Sequence, residues 1–315
     1  MNFFKKIMLY IKDPRRFYVR GAIKKLQKKG EQMSDEDYLK YMFKIKMGYK
    51  LNLDNPITFN EKMQYLKLFN RESIYTTMVD KHGVKPFVEK KVGQEYIAKE
   101  LGCWKNPSEI DYAKLPNKFV LKTTHGCGGM MIIDKKNGFD KEEINRFFEK
   151  GLELNYYSTC REWPYKDVEP RIIAEEFLKD SNFDVLPVYK FFCFNGEPFI
   201  AQVIQNDKKE NETIDYIDME WNFLKLKQDF PNSRKAKRIQ KPAVFEQMKQ
   251  LCRSLTQGIP FVRCDLYVVN GKIYFSEFTF FSDAGFEKFH PRKWDRILGE
   301  KIILPSQKTI ERKTI

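Results

Sequence analysis

The spacing of apolar residues divides the 315-residue chain into a helical N-terminal part and a mixed remainder. Phe3, Phe4, Ile7, Met8 and Ile11 fall on one helical stripe flanked by Lys5, Lys6 and Lys12, and a break is expected near Asp13-Pro14 before a second helix. Ser34, followed by acids, predicts a capped helix through SDEDYLKYMFKIKMGYKL. Thr58-x-x-Glu61 is a capping box opening a further helix. From about residue 80 the pattern alternates between helical and strand periods. DKHGVKPFVEKKV reads as a helix start and helix, KFVLKTTHGCGGMMIID as strand, glycine-rich loop and strand, and DKEEINRFFEKGLEL as a helix. RIIAEEFL is a short buried strand. YKFFCFNGEPFIAQVI is a hairpin turning at Asn195-Gly196, AVFEQMKQLCRSLTQ a helix, and VRCDLYVVNGKIYFSEFTF a hairpin turning at Asn270-Gly271. The expected class is α+β with antiparallel pairs, without internal repeats.

The last hairpin raises a question of register. With a two-residue turn and regular pairing, Glu277 and Thr279 would share a face with Cys264, Leu266 and Val268, leaving a carboxylate among apolar groups. A three-residue loop with Gly271 left-handed beside a bulge reverses that parity. One face then carries Val262, Cys264, Leu266, Val268, Phe278 and Phe280. The other gathers Arg263, Asp265, Glu277 and Thr279. Segregation favours the second register. Two acids and a hydroxyl on one face suit a hard cation such as Mg²⁺, and the alternative is an ion pair of Arg263 with either acid.

The glycine loop is the second candidate. Val120, Lys122 and Thr124 share a strand face, and His125-Gly-Cys-Gly-Gly129 follows. The glycines allow backbone N–H groups to approach a phosphate while Lys122 supplies a point charge. The loop is neither a Walker sequence nor a dinucleotide-binding fingerprint.

Charge and composition narrow the function. The net charge is +14, but residues 1–30 hold ten Lys/Arg against one Asp, and the rest carries 47 basic and 42 acidic groups. That balance argues against an extended nucleic-acid channel. The basic N-terminal segment either packs on its own domain or contacts an anionic membrane or polymer. Six scattered cysteines without a CxxC pair, and three His, argue against a zinc site or disulfide framework and fit a reducing cytoplasm. Cys127 beside His125 is a conceivable nucleophilic dyad, but no partner acid or oxyanion motif accompanies it. No apolar run approaches a membrane span, and IMLYI is too short for a leader.

Taken in order, Asp80-Lys81, KFVLKTTHGCGG, IIAEEFL, YKFFCFNGEP and RCDLY…IYFSEFTF…GF resemble the ATP-grasp superfamily over about residues 55–300. Within it the chain resembles the teichuronopeptide-biosynthesis (TupA-like) family of bacterial surface-polysaccharide clusters. The resemblance implies two α+β lobes clamping ATP: residues 79–174 with the phosphate loop, and 175–304 with the hinge and Mg²⁺ site. A helical extension, 1–78, precedes them and a polar tail, 305–315, follows. Lys81 and Lys122 match the lysines that hold ATP phosphates, Lys190 a further phosphate contact, and His125, Gly126, Gly128 and Gly129 the closing loop. Glu175 matches the hinge acid near the adenine amino group, with Phe177 and Leu178 offering backbone groups to the base. Asp265, Glu277 and Thr279 match the Mg²⁺ ligands, and Arg263 the arginine that steadies the transferred phosphoryl group. Thr279 departs from the usual Asn, and Ser282-Asp-Ala-Gly285 from the usual Pro-Gly. The implied activity is ligation of a carboxylate, such as a sugar acid, to a small amine or amino acid through an acyl phosphate, with ATP converted to ADP and phosphate. Alternatives are a kinase on a sugar hydroxyl, a non-catalytic scaffold, and a glycosyltransferase, for which Asp215-Tyr-Ile-Asp218 is the nearest metal motif.

Overall fold

Side-chain caps set the helical part of the chain. In the computed structural model, which describes residues 15–305, helix α1 spans Arg15–Lys29. Helix α2, Asp35–Met47, starts where the Ser34 hydroxyl accepts the Asp37 N–H at 3.1 Å and stops at Gly48, whose φ of +82° is left-handed. Helix α3, Phe59–Phe69, carries both halves of the Thr58–Glu61 capping box. Helices α4, Ile74–Val79, and α5, Val84–Val92, follow. Leu26 of α1 packs with Tyr38, Met42 and Phe43 of α2. The expected stripe from Phe3 to Ile11 and the tail beyond residue 305 lie outside the described residues.

Two antiparallel sheets form the remainder. The first contains β1 (Glu100–Trp104), β2 (Lys118–Thr123), β3 (Met130–Asp134) and β4 (Ile172–Glu176) in the order β1-β4-β2-β3. Helix α6, Lys141–Leu152, sets Ile144 and Phe148 against Leu121 and Ile133 of this sheet, and the short helix α7, Tyr156–Cys160, follows. The second sheet holds β5 (Val188–Phe194), β6 (Glu197–Gln205), β7 (Thr213–Asp218), β8 (Phe261–Val269) and β9 (Lys272–Thr279) in the order β7-β6-β5-β8-β9. Successive residues of β5 serve its two faces. Phe191 stacks on Phe245 of helix α8, Phe245–Thr256, at 5.8 Å, while Phe192 lies 6.4 Å from Phe59 of α3. Helix α9, Lys293–Lys301, packs beside α3 and closes the described chain.

The β8–β9 hairpin corrects one expectation. Val269 pairs with Lys272, so the turn has two residues, not three. Asn270 and Gly271 both have positive φ, 49° and 79°, as the tight turn matching strand twist requires. The Asn270 N–H donates to Asp180 at 2.5 Å, and the Ser181 hydroxyl bonds Asn270 Oδ1 at 3.1 Å, so the tip is tied to a distant segment in its shortest form. The parity change occurs further along. Leu266 pairs with Phe275 but Asp265 with Glu277, leaving Ser276 as the extra residue of a bulge. The bulge keeps both Phe275 and Phe278 in the core, rings 4.7 Å apart, and moves Glu277 to the face of Asp265.

Candidate active site

Cross-strand partners in a pleated sheet point to the same face. One such row crosses the five-stranded sheet from β7 to β9: Tyr216, Gln202, Lys190, Asp265 and Glu277. Arg263 and Thr279 form the adjacent pair on that face of β8 and β9. Asp265 is 1% exposed and receives a two-pronged contact from Arg263, Nε to Oδ1 at 2.7 Å and Nη2 to Oδ2 at 2.8 Å. Arg263 also donates to the hydroxyls of Thr279 and Ser282, each at 2.9 Å. Lys190 Nζ lies 3.3 Å from Asp265 Oδ2. The ion pair considered from sequence is therefore present, and it engages Asp265 rather than Glu277. Glu277 is approached by Lys81 at 3.7 Å. Burial opposes its ionisation, but Lys81, Lys190, Arg263 and Lys122 hold its carboxyl below the usual range.

The four-stranded sheet contributes a second charged group. Lys122 of β2 donates to Glu175 of β4 at 2.5 Å, and Lys85 of α5 donates to the other Glu175 oxygen at 2.6 Å. Burial would raise the Glu175 carboxyl, yet Lys122 and Lys85 keep it depressed, and Glu175 in turn raises Lys122 against its own burial. Lys85 was not singled out from sequence, because Lys81 precedes the helix that carries it and no local spacing ties the two together. Lys81 donates to the Gly126 carbonyl, whereas Asp80 pairs with Arg171 at 2.7 Å, so an Asp80–Lys81 pair does not form. Phe177 and Leu178 follow the end of β4, with Lys118 Nζ 4.2 Å above the Phe177 ring.

The glycine loop joins β2 to β3. His125 is 3% exposed, lies 6.0 Å from Tyr156 edge to face, and its ring nitrogens approach the backbone at Gly151 and Leu154 without forming a full hydrogen bond. Burial and the Lys81 charge push its imidazole down, favouring the neutral ring. Cys127 is exposed, and without a hydrogen-bonded His125 the dyad is not assembled. Gly128 needs its φ of +84°, while a Cβ at Gly126 would overlap the Tyr156 ring, whose hydroxyl donates to the Cys127 carbonyl. Gly126→Ala is therefore expected to displace the loop from Tyr156 and raise KM for a nucleotide several-fold. Tyr156→Ala on that background should recover part of the loss, as steady-state kinetics would read.

Five basic side chains, Lys81, Lys85, Lys122, Lys190 and Arg263, meet four acids, Glu100, Glu175, Asp265 and Glu277, leaving one positive charge in excess. A polyphosphate carrying a divalent cation fits this arrangement: lysines for its oxygens, and the carboxylates of Asp265 and Glu277 as hard donors for the metal. A separate His82, Glu100 and Cys103 group brings ligating atoms within 4.8 Å of one another, but Lys85 already faces Glu100 at 3.8 Å.

Among solved structures the chain is similar to D-alanine–D-alanine ligase from Bacillus anthracis complexed with ATP, at 15% identity over 64% of this chain and 53% of that one, TM-score 0.38. It is similar also to the ADP complex of PurK, N5-carboxyaminoimidazole ribonucleotide synthetase, at 12% identity over 78% and 57%, TM-score 0.44. D-Alanine–D-alanine ligase from Helicobacter pylori matches at 16% identity over 78% and 69%, TM-score 0.43. The chain spans little more than half the length of the first two. Comparison of the sequence with curated proteins gives no match. A family model described as TupA-like ATPgrasp matches residues 61–303. Covering most of the chain, and joined to two antiparallel sheets whose cations and paired acids face one another, that match establishes that the chain belongs to the TupA-like ATP-grasp family.

Proposed function

We propose that this protein is an ATP- and Mg²⁺-dependent ligase joining a carboxylate to an amine through an acyl phosphate. The observation that carries the reading is the pairing of Asp265 with Glu277 across β8 and β9, with Lys81 reaching Glu277 and Lys190 reaching Asp265. Lys122 and Lys81 hold the nucleotide phosphates, the loop at Gly126, Gly128 and Gly129 covers them, and backbone groups at Phe177 and Leu178 meet the base beside Glu175. Arg263 steadies the transferred phosphoryl group. Asp265 and Glu277, with Thr279 beside them, hold the metal, which when bound neutralises charge on the phosphates. No side-chain nucleophile is needed, because the carboxylate substrate attacks the γ-phosphate directly and positioning supplies the rest.

The carboxylate proposed is a sugar acid of a bacterial surface polysaccharide, and the amine a small amine or amino acid. The glycosyltransferase alternative loses its nearest motif. Asp215 is buried and bonds Ser233, and Asp218 caps a turn through Asn222 at 2.8 Å. ADP release from ATP·Mg²⁺ across sugar acids and amines, followed by mass spectrometry, tests the reading. ADP with a new amide supports it, and ADP with a phosphoester or release of UDP from a nucleotide sugar would replace it.

No helix among the described residues is long and apolar enough to cross a membrane. Helix α1 exposes Lys24, Lys25, Lys28 and Lys29 while burying Leu26, so its packing and a peripheral contact with an anionic membrane are compatible. Replacing the four lysines by Gln should weaken sedimentation with anionic vesicles at low salt and leave ADP formation in solution near wild type. Vesicle binding unaffected by the change would sink the peripheral contact.

A further inference from the structure

The polar row does not stop at Lys190. It continues to Gln202 on β6 and Tyr216 on β7, 5% and 1% exposed, which nucleotide binding leaves without a task. Gln202 Nε2 donates to the Tyr216 hydroxyl at 2.8 Å and to Gln228 Oε1 at 3.0 Å, and the Tyr216 hydroxyl donates to the same Gln228 oxygen. Gln228 Nε2 then donates to Glu287 Oε2. Glu287 is 2% exposed, and no well-formed hydrogen bond reaches its other oxygen, although the Ser282 hydroxyl lies close enough to the carboxyl group to lower it. Its backbone is held in place, since Asn60 Nδ2 donates to the Glu287 carbonyl at 2.8 Å. Ser282, which accepts from Arg263, lies against the same carboxyl group, so the cluster reaches Asp265 through Arg263 as well as along the row.

A buried carboxylate oxygen without a well-formed hydrogen bond is costly unless something arrives to complete it. Half-buried Gln228 and exposed Asp229 mark the solvent side. Arg263 acts on both Tyr216 and Glu287, opposed by Asp229 and Asp283, so it is the acceptor oxygen of Glu287 itself, and not the net charge around it, that suits a donor such as an ammonium. We propose that Glu287 receives the acceptor amine of the ligation, with Gln228, Tyr216 and Gln202 as the walls of its subsite. This rests on the ligase reading given above.

The free oxygen of Glu287 accepts a hydrogen bond from the substrate ammonium and then takes one proton from it. The nitrogen lone pair so released attacks the acyl carbon. A C–N bond forms, and the C–O bond to phosphate breaks with its electron pair leaving on phosphate. A second proton passes from nitrogen to the departing phosphate, and Glu287 returns its own to water. Burial pushes the Glu287 carboxyl up to about 7, with Asp283 adding to the effect and Ser282, Arg263 and Gln228 opposing it, which suits a group exchanging protons near neutrality.

The test compares two nucleophiles with ATP·Mg²⁺ and a panel of sugar acids. Hydroxylamine, small and uncharged near neutral pH, traps the acyl phosphate as a hydroxamate without needing an ammonium site. An equimolar mixture of amino acids needs one. Glu287→Gln is expected to lower the ratio of amino-acid product to hydroxamate by ~10²-fold. Tyr216→Phe should lower it in the same direction by less. Thermal midpoints with ATP·Mg²⁺ confirm that both variants are folded. A ratio unchanged in both variants, with hydroxamate formed by wild type, overturns the Glu287 assignment alone. Absence of hydroxamate from wild type with every acid overturns the ligase reading, and this assignment falls with it.

Discussion

Glu277→Gln is expected to lower ADP formation by at least ~10²-fold while leaving the urea midpoint near that of wild type. Asp265→Asn should lose as much turnover and also unfold more easily. The difference follows from their partners. Glu277 is about one-third exposed, and its ion pair within 4 Å is with Lys81 at 3.7 Å while Lys190, Arg263 and Lys122 act from further off, so less of the fold depends on its charge than on that of Asp265. Asp265 is buried, and the Arg263 guanidinium lies across both of its oxygens. Removing that charge leaves the buried Arg263 cation without its two-pronged partner, against the hydroxyls of Thr279 and Ser282 and with Glu277 and Glu287 acting only from further off, a loss of about 3–5 kcal/mol for pairs of this kind. The observed pairing therefore confines a loss of chemistry without a loss of stability to Glu277. Kinetics and equilibrium unfolding on both variants check the pattern. Near-normal ADP formation by Glu277→Gln would remove the metal platform from the account.

The second large effect concerns Lys122. ATP·Mg²⁺ at 100 times its Kd should stabilise wild type by about 2.7 kcal/mol. Lys122→Met, measured at the same nucleotide concentration, is expected to lose most of that gain, because the side chain is the central cation of the four-stranded sheet's contribution. The apo variant should survive, since Lys85 still neutralises Glu175 at 2.6 Å. It should also have less stability to lose in acid. Glu175 has a depressed carboxyl, so the stability it contributes is complete above its unfolded value of 4.5 and disappears as pH falls through the folded one. With one of two counter-charges gone, the folded value lies closer to the unfolded one, so this contribution is smaller at neutral pH and less of it is lost on acidification. An equal thermal shift with nucleotide in variant and wild type would show that Lys122 does not touch the phosphates.

What could be read from the sequence was what local chemistry decides. The Ser34 and Thr58 caps lie within three residues of the N–H groups they bond, so they were visible without tertiary context. The faces of the β8–β9 hairpin were legible because burial segregates apolar from polar groups. The place of the extra residue was not, because a longer loop and a bulge at Ser276 give the same parity. The contact deciding between them, Asn270 with Asp180, joins positions 90 residues apart. Lys85 was overlooked for a similar reason: its partner Glu175 is also 90 residues away. Strand β1 was missed because all five of its residues are half-buried, which leaves no alternation to detect.

The row from Tyr216 to Glu277 has a further consequence, for how such enzymes diversify. Its order across the sheet separates nucleotide chemistry on β8 and β9 from the subsite walls on β6, β7 and the segment that carries Gln228. Those walls occupy one uninterrupted stretch, residues 197–228, which contains neither Asp265 nor Glu277. Exchange of that stretch between relatives could recast acceptor preference as a cassette, with Lys190 as the fixed seam and the phosphate-handling strands inherited unchanged.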